Sequence, residues 1–300
     1  YIKFILMSRI TKLGLGIVAF EGTEHIKNIT YEIRDYVDEI VVCLQKKSYC
    51  GEPIDDEDID EVDSLLEHGW IDKIIWFSPI KFYDDVREED KKSVPRFIET
   101  DKRNFILDSL ERDGCSHSMV IDSDEFYNRD EFIKAKELFS NNPEMKVTYC
   151  RYINYWQDYY HYLVWDRKTY VPFIADSKYR FKYNARCFDG AVDLTRIYDL
   201  NAGDAYHTFS WDVIHMHHFS WIRKNIKKKI NSWSSSSYYE KNIKDEVYNA
   251  YIKWKPYLCA RIIGPKVVVE NLWKKFVSPH YRLNQEIEDY ENRDSDIVSK

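Results

Sequence analysis

The sequence has no run of about 18 apolar residues, so it holds no ordinary membrane-spanning helix, and the opening YIKFILM is too short and poorly flanked to read as a signal peptide. It has no C-x-x-C pair. Cys43, Cys50, Cys115, Cys150, Cys187 and Cys259 lie far apart, which excludes a dense disulfide framework and is read as reduced core thiols in an expected cytoplasmic location. An excess of positive charge is also missing. Lys and Arg number 44 against 51 Asp and Glu, a net charge of −7, so no global field draws the chain to nucleic acid or anionic lipid. No internal repeat divides the 300 residues, a length for one large domain or one domain with an appendage. Aromatic residues are plentiful: 24 Tyr, 15 Phe and 9 Trp make up 16% of the chain, which suits stacking on sugars and equally a large aromatic core.

From Gly14 onward, short apolar runs alternate with helical patterns, the mark of an α/β domain with a mostly parallel sheet. Strands are expected at LGIVAF (15–20), EIVVCLQ (39–45), DKIIWFS (72–78) and SMVID (118–122). Between them fall a helix at 24–37 with Ile26, Ile29, Ile33 and Val37 on one face, and a helix at 101–112 with Phe105, Ile106 and Leu110 inward. The acidic run from Asp55 to Asp63 could suggest an EF-hand, but a loop starting at Asp56 has Glu61 where the turn glycine belongs. It reads instead as a solvated helix start with Ile59, Val62, Leu65 and Leu66 facing the core.

A helix at 130–140 precedes aromatic strands at 146–155 and 159–174, which suggest a second, more antiparallel half. Residues 178–220 are irregular, with strand-like pieces around YRFKY and VIHMHHF. A helix at 221–233 would set Ile222, Ile226, Ile230 and Trp233 on one stripe and leave Arg223, Lys224, Lys227, Lys228 and Lys229 outward. Such a face is usually just solvated, though its first cations could contact phosphates. Ser234 to Ser237 read as a linker, and 238–277 return to helical patterns as a C-terminal extension.

Chemistry concentrates where SMVID runs into SDEF. Ligands of open α/β sheets bind outside the carboxyl ends of the strands, and Asp122, Ser123 and Asp124 stand there. Past a strand end the backbone turns, so two carboxylates two residues apart can reach one hard cation such as Mn²⁺ or Mg²⁺. A divalent ion can in turn clamp a diphosphate. His215, His217 and His218 form a second concentration; in a strand the first two share one face and His218 the other. The aromatic stretch YINYWQDYYHYLVW (152–165) could stack sugar rings or pack as strand core.

GLGIVAF, EIVVCLQ and DKRNFILDSLERDGCSHSMVIDSDEF, in that order, resemble the nucleotide-sugar half of the GT-A glycosyltransferases, especially the inverting family two. Arg103 and Asn104 stand where that family has an Arg-Asn pair ahead of its D-x-D. The resemblance covers about residues 13–130. YRFKYNARCFDGAVD (179–193) is loosely similar to the acceptor-side segment, with Val192 and Asp193 where some relatives carry His-Glu, and HFSW (218–221) resembles the family's late histidine segment. It implies a GT-A, Rossmann-like domain over residues 1–233, with a nucleotide-sugar half at about 13–130 and an acceptor half at 131–233, followed by the extension at 234–300.

The implied activity is hexosyl or pentosyl transfer from a nucleoside-diphosphate sugar, a UDP-sugar being the leading expectation, to a glycan or other hydroxyl acceptor. A nucleic-acid acceptor is not favoured. Asp122, Asp124 and, by the resemblance, His218 would hold Mn²⁺ or Mg²⁺ and the diphosphate, with His215 or His217 as fallbacks. Ala19, Phe20, Glu21 and Gln45, at the ends of the first two strands, would meet the nucleoside. Arg103 and Asn104 would brace the D-x-D and diphosphate, together with Ser123. If the anomeric centre inverts, a carboxylate must take the acceptor's proton; Asp193 is the choice, with Asp189, Asp204 and Asp212 as competitors. The rivals are a metal-dependent nucleotidyltransferase or phosphohydrolase, and a non-catalytic sugar-binding domain. The first lacks a glycine-rich loop after the first strand, and Phe126 stands where a dehalogenase-like phosphatase needs Thr or Val.

Overall fold

The computed structural model describes residues 9–80, 87, 91–162, 169–183, 191–201, 204–234, 240–254, 260–262 and 267–269. The first half runs β1 (Leu13–Val18), α1 (Ile26–Ile33), β2 (Glu39–Gln45), α2 (Asp56–Glu67), β3 (Lys73–Phe77), α3 (Val94–Arg112) and β4 (His117–Asp122). β3, β2, β1 and β4 lie side by side in that order, all parallel. β1 and β2 are buried along their whole length, which is why both read as unbroken apolar runs.

The alternation of strand side chains splits the core into two layers. Leu13, Leu15 and Ile17 join Ile40, Val42 and Leu44 beneath α1, α2 and α4 (Arg129–Asn141), while Val18, Val41, Cys43 and Val120 meet Ile106, Leu107 and Leu110 of α3. Gly14 and Gly16 fall on the α3 side. A Cβ on Gly16 would lie 2.0 Å from Ile106 Cγ2, and one on Gly14 2.7 Å from Leu110 Cδ2, so α3 rests directly on the backbone of β1. α3 starts earlier than its apolar pattern suggests because Pro95 fits the first helical turn, and the added turn brings Glu99 over Arg103. In α2 the buried face is Val62 and Leu65; Leu66, expected inward, is exposed.

The second half extends the same sheet. β5 (Glu125–Phe126) follows β4, and after α4 come β6 (Val147–Trp156), β7 (Asp158–Tyr162), β8 (Thr169–Asp176), β9 (Ala191–Val192), β10 (Tyr206–Thr208) and β11 (His215–Trp221). β8 pairs antiparallel with both β4 and β6, and β11 runs parallel to β6 and antiparallel to β5, giving the order β3-β2-β1-β4-β8-β6-β11-β5. The expected α/β fold, a largely parallel Rossmann-like sheet with helices on both faces, is the one observed. Of YRFKY only an isolated bridge from Phe181 to Tyr198 forms.

α5 covers Ile226–Ser232 rather than the expected 221–233, because β11 continues to Trp221 and Asn225 caps the helix through Lys228 N–H at 3.0 Å. Residues 222–225 therefore escape the helical phase. Of the five cations expected outward, Lys224 and Lys227 are exposed, whereas the side chains of Arg223, Lys228 and Lys229 are turned in. α6 (Lys241–Lys253) meets the expectation of a helix beyond the linker. β12 (Ala260–Ile262) and β13 (Val267–Val269), an antiparallel pair, replace helix farther on, where β-branched residues gather. The 235–237 serines and the tail from 270 lie outside the described residues. Among the described residues Cys43, Cys50, Cys115 and Cys150 form no disulfide, and all but Cys50 are buried; Cys187 and Cys259 are outside the described set. Among the described residues no helix is long and apolar enough to cross a membrane.

Candidate functional site

The carboxyl ends of β1 and β4 are neighbours, with Val18 opposite Asp122. Beyond them Ser123 laces the two loops together: its N–H donates to Val18 O at 3.0 Å and its hydroxyl to Glu21 O at 2.9 Å. β5 then pairs with β11, placing His218 opposite Glu125, and Phe219 N–H donates to Asp124 O at 2.8 Å. This pairing carries His218 to the D-x-D, with Nε2 at 3.4 Å from Asp124 Oδ1.

Each aspartate has its own set of cations. Asp122 sits between two guanidinium groups, 2.8 Å from Arg103 Nη2 and 2.5 Å from Arg196 Nη2. Arg103 also holds Glu99 at 2.8 Å, and Arg196 holds Glu125 at 2.6 Å. Glu125, 1% exposed, accepts the Asp122 N–H at 3.0 Å through its other oxygen. Asp124, equally buried, is bonded by Arg223 and lies 3.8 Å from Lys229 Nζ. Gly22, at φ 74°, allows this approach: a Cβ there would sit 1.8 Å from Arg223 Nη1.

The charges decide the protonation states. Burial works to raise the Asp124 carboxyl, but Arg223, His218 and Lys229 outweigh it and hold it well below the usual carboxylate range. The same balance, with Arg103 and Arg196 as the cations, lowers Asp122. For Glu125 and Glu99 burial wins and the carboxyls are raised, despite Arg196 and Arg103 respectively. Burial also pushes Lys102, which donates to Ala19 O at 2.6 Å, down to about 8.

These groups surround a cavity of about 390 Å³, within the usual size range for ligand pockets. Phe20, Glu21, Asp122, Ser123, Asp124, Asp193 and His218 all line it, so the structure gathers seven of the residues singled out in the sequence around one space. Asp193 accepts the N–H and hydroxyl of Thr195, each at 2.9 Å, and its second oxygen is 3.4 Å from Arg196 Nε. Burial would raise its carboxyl, and Arg196 and Arg103 bring it below the ordinary value. Asp204 and Asp212 are not in the wall of this cavity, and Asp189 lies outside the described residues.

Four other expected residues stand away from the cavity wall. Ala19 is tied by its backbone, N–H to Cys43 O at 3.0 Å and carbonyl to Lys102. Gln45 is buried at the end of β2. Arg103 lies beneath Asp122, and Asn104 grips the Phe181 backbone, accepting its N–H at 2.8 Å and donating to its carbonyl at 2.9 Å. His215 and His217 project from the face of β11 opposite His218.

Sequence reasoning passed over Arg196, Glu125, Glu99 and Tyr49, put Trp233 on an apolar helical stripe, and set Arg223 outward. Glu125 could have been found from its place beside Asp124, and Arg196 from its i+3 spacing to Asp193; Tyr49 and Trp233 carry no local signal. Tyr49, Tyr152, Trp221 and Trp233 line the same cavity and give it aromatic walls beside the charged groups. Such a space can take an anionic group against its cations and a flat or sugar-like body against its rings.

No protein-family model matches the sequence, and no curated protein matches it. Among solved structures, the chain is similar over 48% of its length to a crystal structure of S. aureus TarS, at 13% identity and a TM-score of 0.32, covering 22% of that chain. A structure of S. aureus TarS 1-349 is similar over 48% of this chain and 36% of its own, at 11% identity and a TM-score of 0.33. The matched parts are well under two thirds of either TarS chain, and likeness of this degree bears on neither activity nor substrate.

Proposed function

We propose that this chain is a metal-dependent glycosyltransferase that moves a sugar from a nucleoside-diphosphate sugar to a hydroxyl acceptor with inversion. The observation that carries this reading is the meeting of Asp124, His218, Arg223 and Lys229 at the carboxyl end of β4, in one cavity with aromatic walls. The order of β1 to β4 and the placing of Arg103 beneath the D-x-D agree with the GT-A resemblance.

Asp124 and His218 supply the carboxylate oxygen and imidazole nitrogen that Mn²⁺ accepts, and their donor atoms are already neighbours, so the residues fit the implied ion. Asp122, engaged with two guanidinium groups, would join only by giving one of them up. Arg103, Arg196, Arg223 and Lys229 are already engaged by carboxylates, so an incoming diphosphate calls for added positive charge. When bound, Mn²⁺ or Mg²⁺ supplies Lewis-acid stabilisation of the leaving diphosphate.

The chain's own groups do the rest. Arg223 and Lys229 turn from Asp124 to the phosphate oxygens, and Ser123 holds the loop after β1 so that Phe20 and Glu21 border the nucleoside. Tyr152, Trp221 and Trp233 pack the sugar and acceptor. Asp193, ionised at neutral pH, receives the acceptor hydroxyl's proton, while Arg196 and Thr195 fix its orientation. A panel of UDP-, GDP-, ADP-, CDP- and dTDP-sugars assayed for nucleoside-diphosphate release with Mn²⁺ or Mg²⁺ tests the proposal. One nucleotide class should turn over and lose turnover on chelation; binding without release from any donor would favour a non-catalytic sugar-binding domain.

A further inference from the structure

We propose that Glu131, His215 and His217 form a second metal site, for Zn²⁺, on the face of β11 turned away from the donor cavity. Residues two apart on a strand share a face, so both imidazoles project from the same side of β11 and His218 from the other. Asn128 caps α4 by accepting the N–H groups of Asp130 at 3.0 Å and Glu131 at 3.3 Å, which fixes the turn that presents the Glu131 carboxylate to β11. Glu131 Oε2 lies 3.3 Å from His215 Nδ1, and ligand atoms of all three side chains fall within 4.8 Å of one another.

Zinc binds imidazole and carboxylate at roughly 2.0–2.1 Å, and in a tetrahedron those bonds separate neighbouring donor atoms by about 3.3 Å. The Glu131–His215 pair already stands at that spacing. The imidazoles are also held from behind. Tyr155 OH is 2.9 Å from His217 Nδ1, and with Nδ1–H donating to that oxygen Nε2 is the ring's ligating nitrogen. Trp211 stacks on His215 at 4.5 Å and 6°. Two nitrogens and one carboxylate, with both histidines fully buried, suit zinc and not the oxygen-rich shells of Ca²⁺ or Mg²⁺. An ion here would tie the first turn of α4 to β11, the strand whose opposite face carries His218.

The test is a titration of the full chain, stripped with chelator, by Co²⁺ and then Zn²⁺. In wild type the intense visible bands of a four-coordinate nitrogen and oxygen site should saturate with one equivalent of Co²⁺ and be displaced by Zn²⁺, and Asp124→Asn should retain them. Glu131→Gln and His217→Gln should lose the bands, with affinity falling about 100-fold or more. Circular dichroism verifies folding, and Glu131→Gln, isosteric at the least buried of the three positions, decides the matter should a histidine variant fail to fold. Absence of the bands in wild type, or their retention in folded Glu131→Gln, overturns the site. Retained bands in a chain that binds no sugar nucleotide would uphold this site while counting against the donor reading.

Discussion

The two halves of the sheet bring opposite charge to the seam between them. Up to Phe126 the chain supplies Asp122, Asp124, Glu125 and Glu99; from Thr195 onward it supplies Arg196, Arg223 and Lys229, with the His218 imidazole beside Asp124. The acids sit on or just past regular elements, at the end of β4, in β5 and in α3. Arg196, after β9, and Arg223, between β11 and α5, come from loops, whereas Lys229 is carried by α5. Arg103 and Asp193 depart from this division, each offsetting charge of its own half: Arg103 that of Asp122 and Glu99, Asp193 that of Arg196. The two halves share apolar layers and are joined by the pairing of β4 with β8 and of β5 with β11, and at the end of β4 buried ion pairs add a polar seam.

Cutting the seam should have the largest effect. Arg196→Met leaves Asp122 with one guanidinium and Glu125 with none, and should cost about 3–5 kcal/mol in chemical denaturation at neutral pH. Adding Glu125→Gln should recover part of that loss; an unchanged midpoint in the single variant would break the comparison. Asp193→Asn should leave donor affinity in place and lower kcat by roughly 10²- to 10⁴-fold, read in steady-state assays with the donor that turns over. A fall in affinity without a fall in kcat would make Asp193 part of the seam and not the base.

Lys102 tests the first half's interior. Its pKa is lowered to about 8 by burial, so between about 8 and its ordinary 10.5 the unfolded chain binds the extra proton. Its contribution to stability therefore rises with pH across that window, by about 3 kcal/mol in all. Lys102→Met should remove this rise, seen as a wild-type minus variant difference that grows from pH 8 to 10.5. The smallest effect belongs to Gly16→Ala, which forces Ile106 aside and should cost about 1–3 kcal/mol while sparing donor affinity. Combining it with Ile106→Ala should cost less than the sum of the two, because both act on one contact.

The division also explains what could be read in the sequence. The first half was legible because parallel strands buried on both faces give continuous apolar runs, so β2 was placed to the residue and the D-x-D fell at a strand end. The floor of the site was not. Whether Arg223 points to solvent or to Asp124 depends on where β11 stops and α5 starts, and helical periodicity across 221–233 conceals that break. Arg196 and Tyr49 reach the cavity from loops, where no period links position to direction. His218 could be separated from His215 and His217 by strand parity, but its nearness to Asp124 depends on the pairing of β5 with β11.

On the proposed function, the seam takes up a nucleoside diphosphate by exchanging the partners of Asp124. Calorimetric titration of nucleoside diphosphates into wild type and Asp124→Asn, with and without Mn²⁺, tests it most directly. One preferred base is expected, with stoichiometric binding that requires Mn²⁺ and is lost in the folded variant. Binding of equal strength in Asp124→Asn, or no binding of any nucleoside diphosphate by the folded wild type, would contradict it.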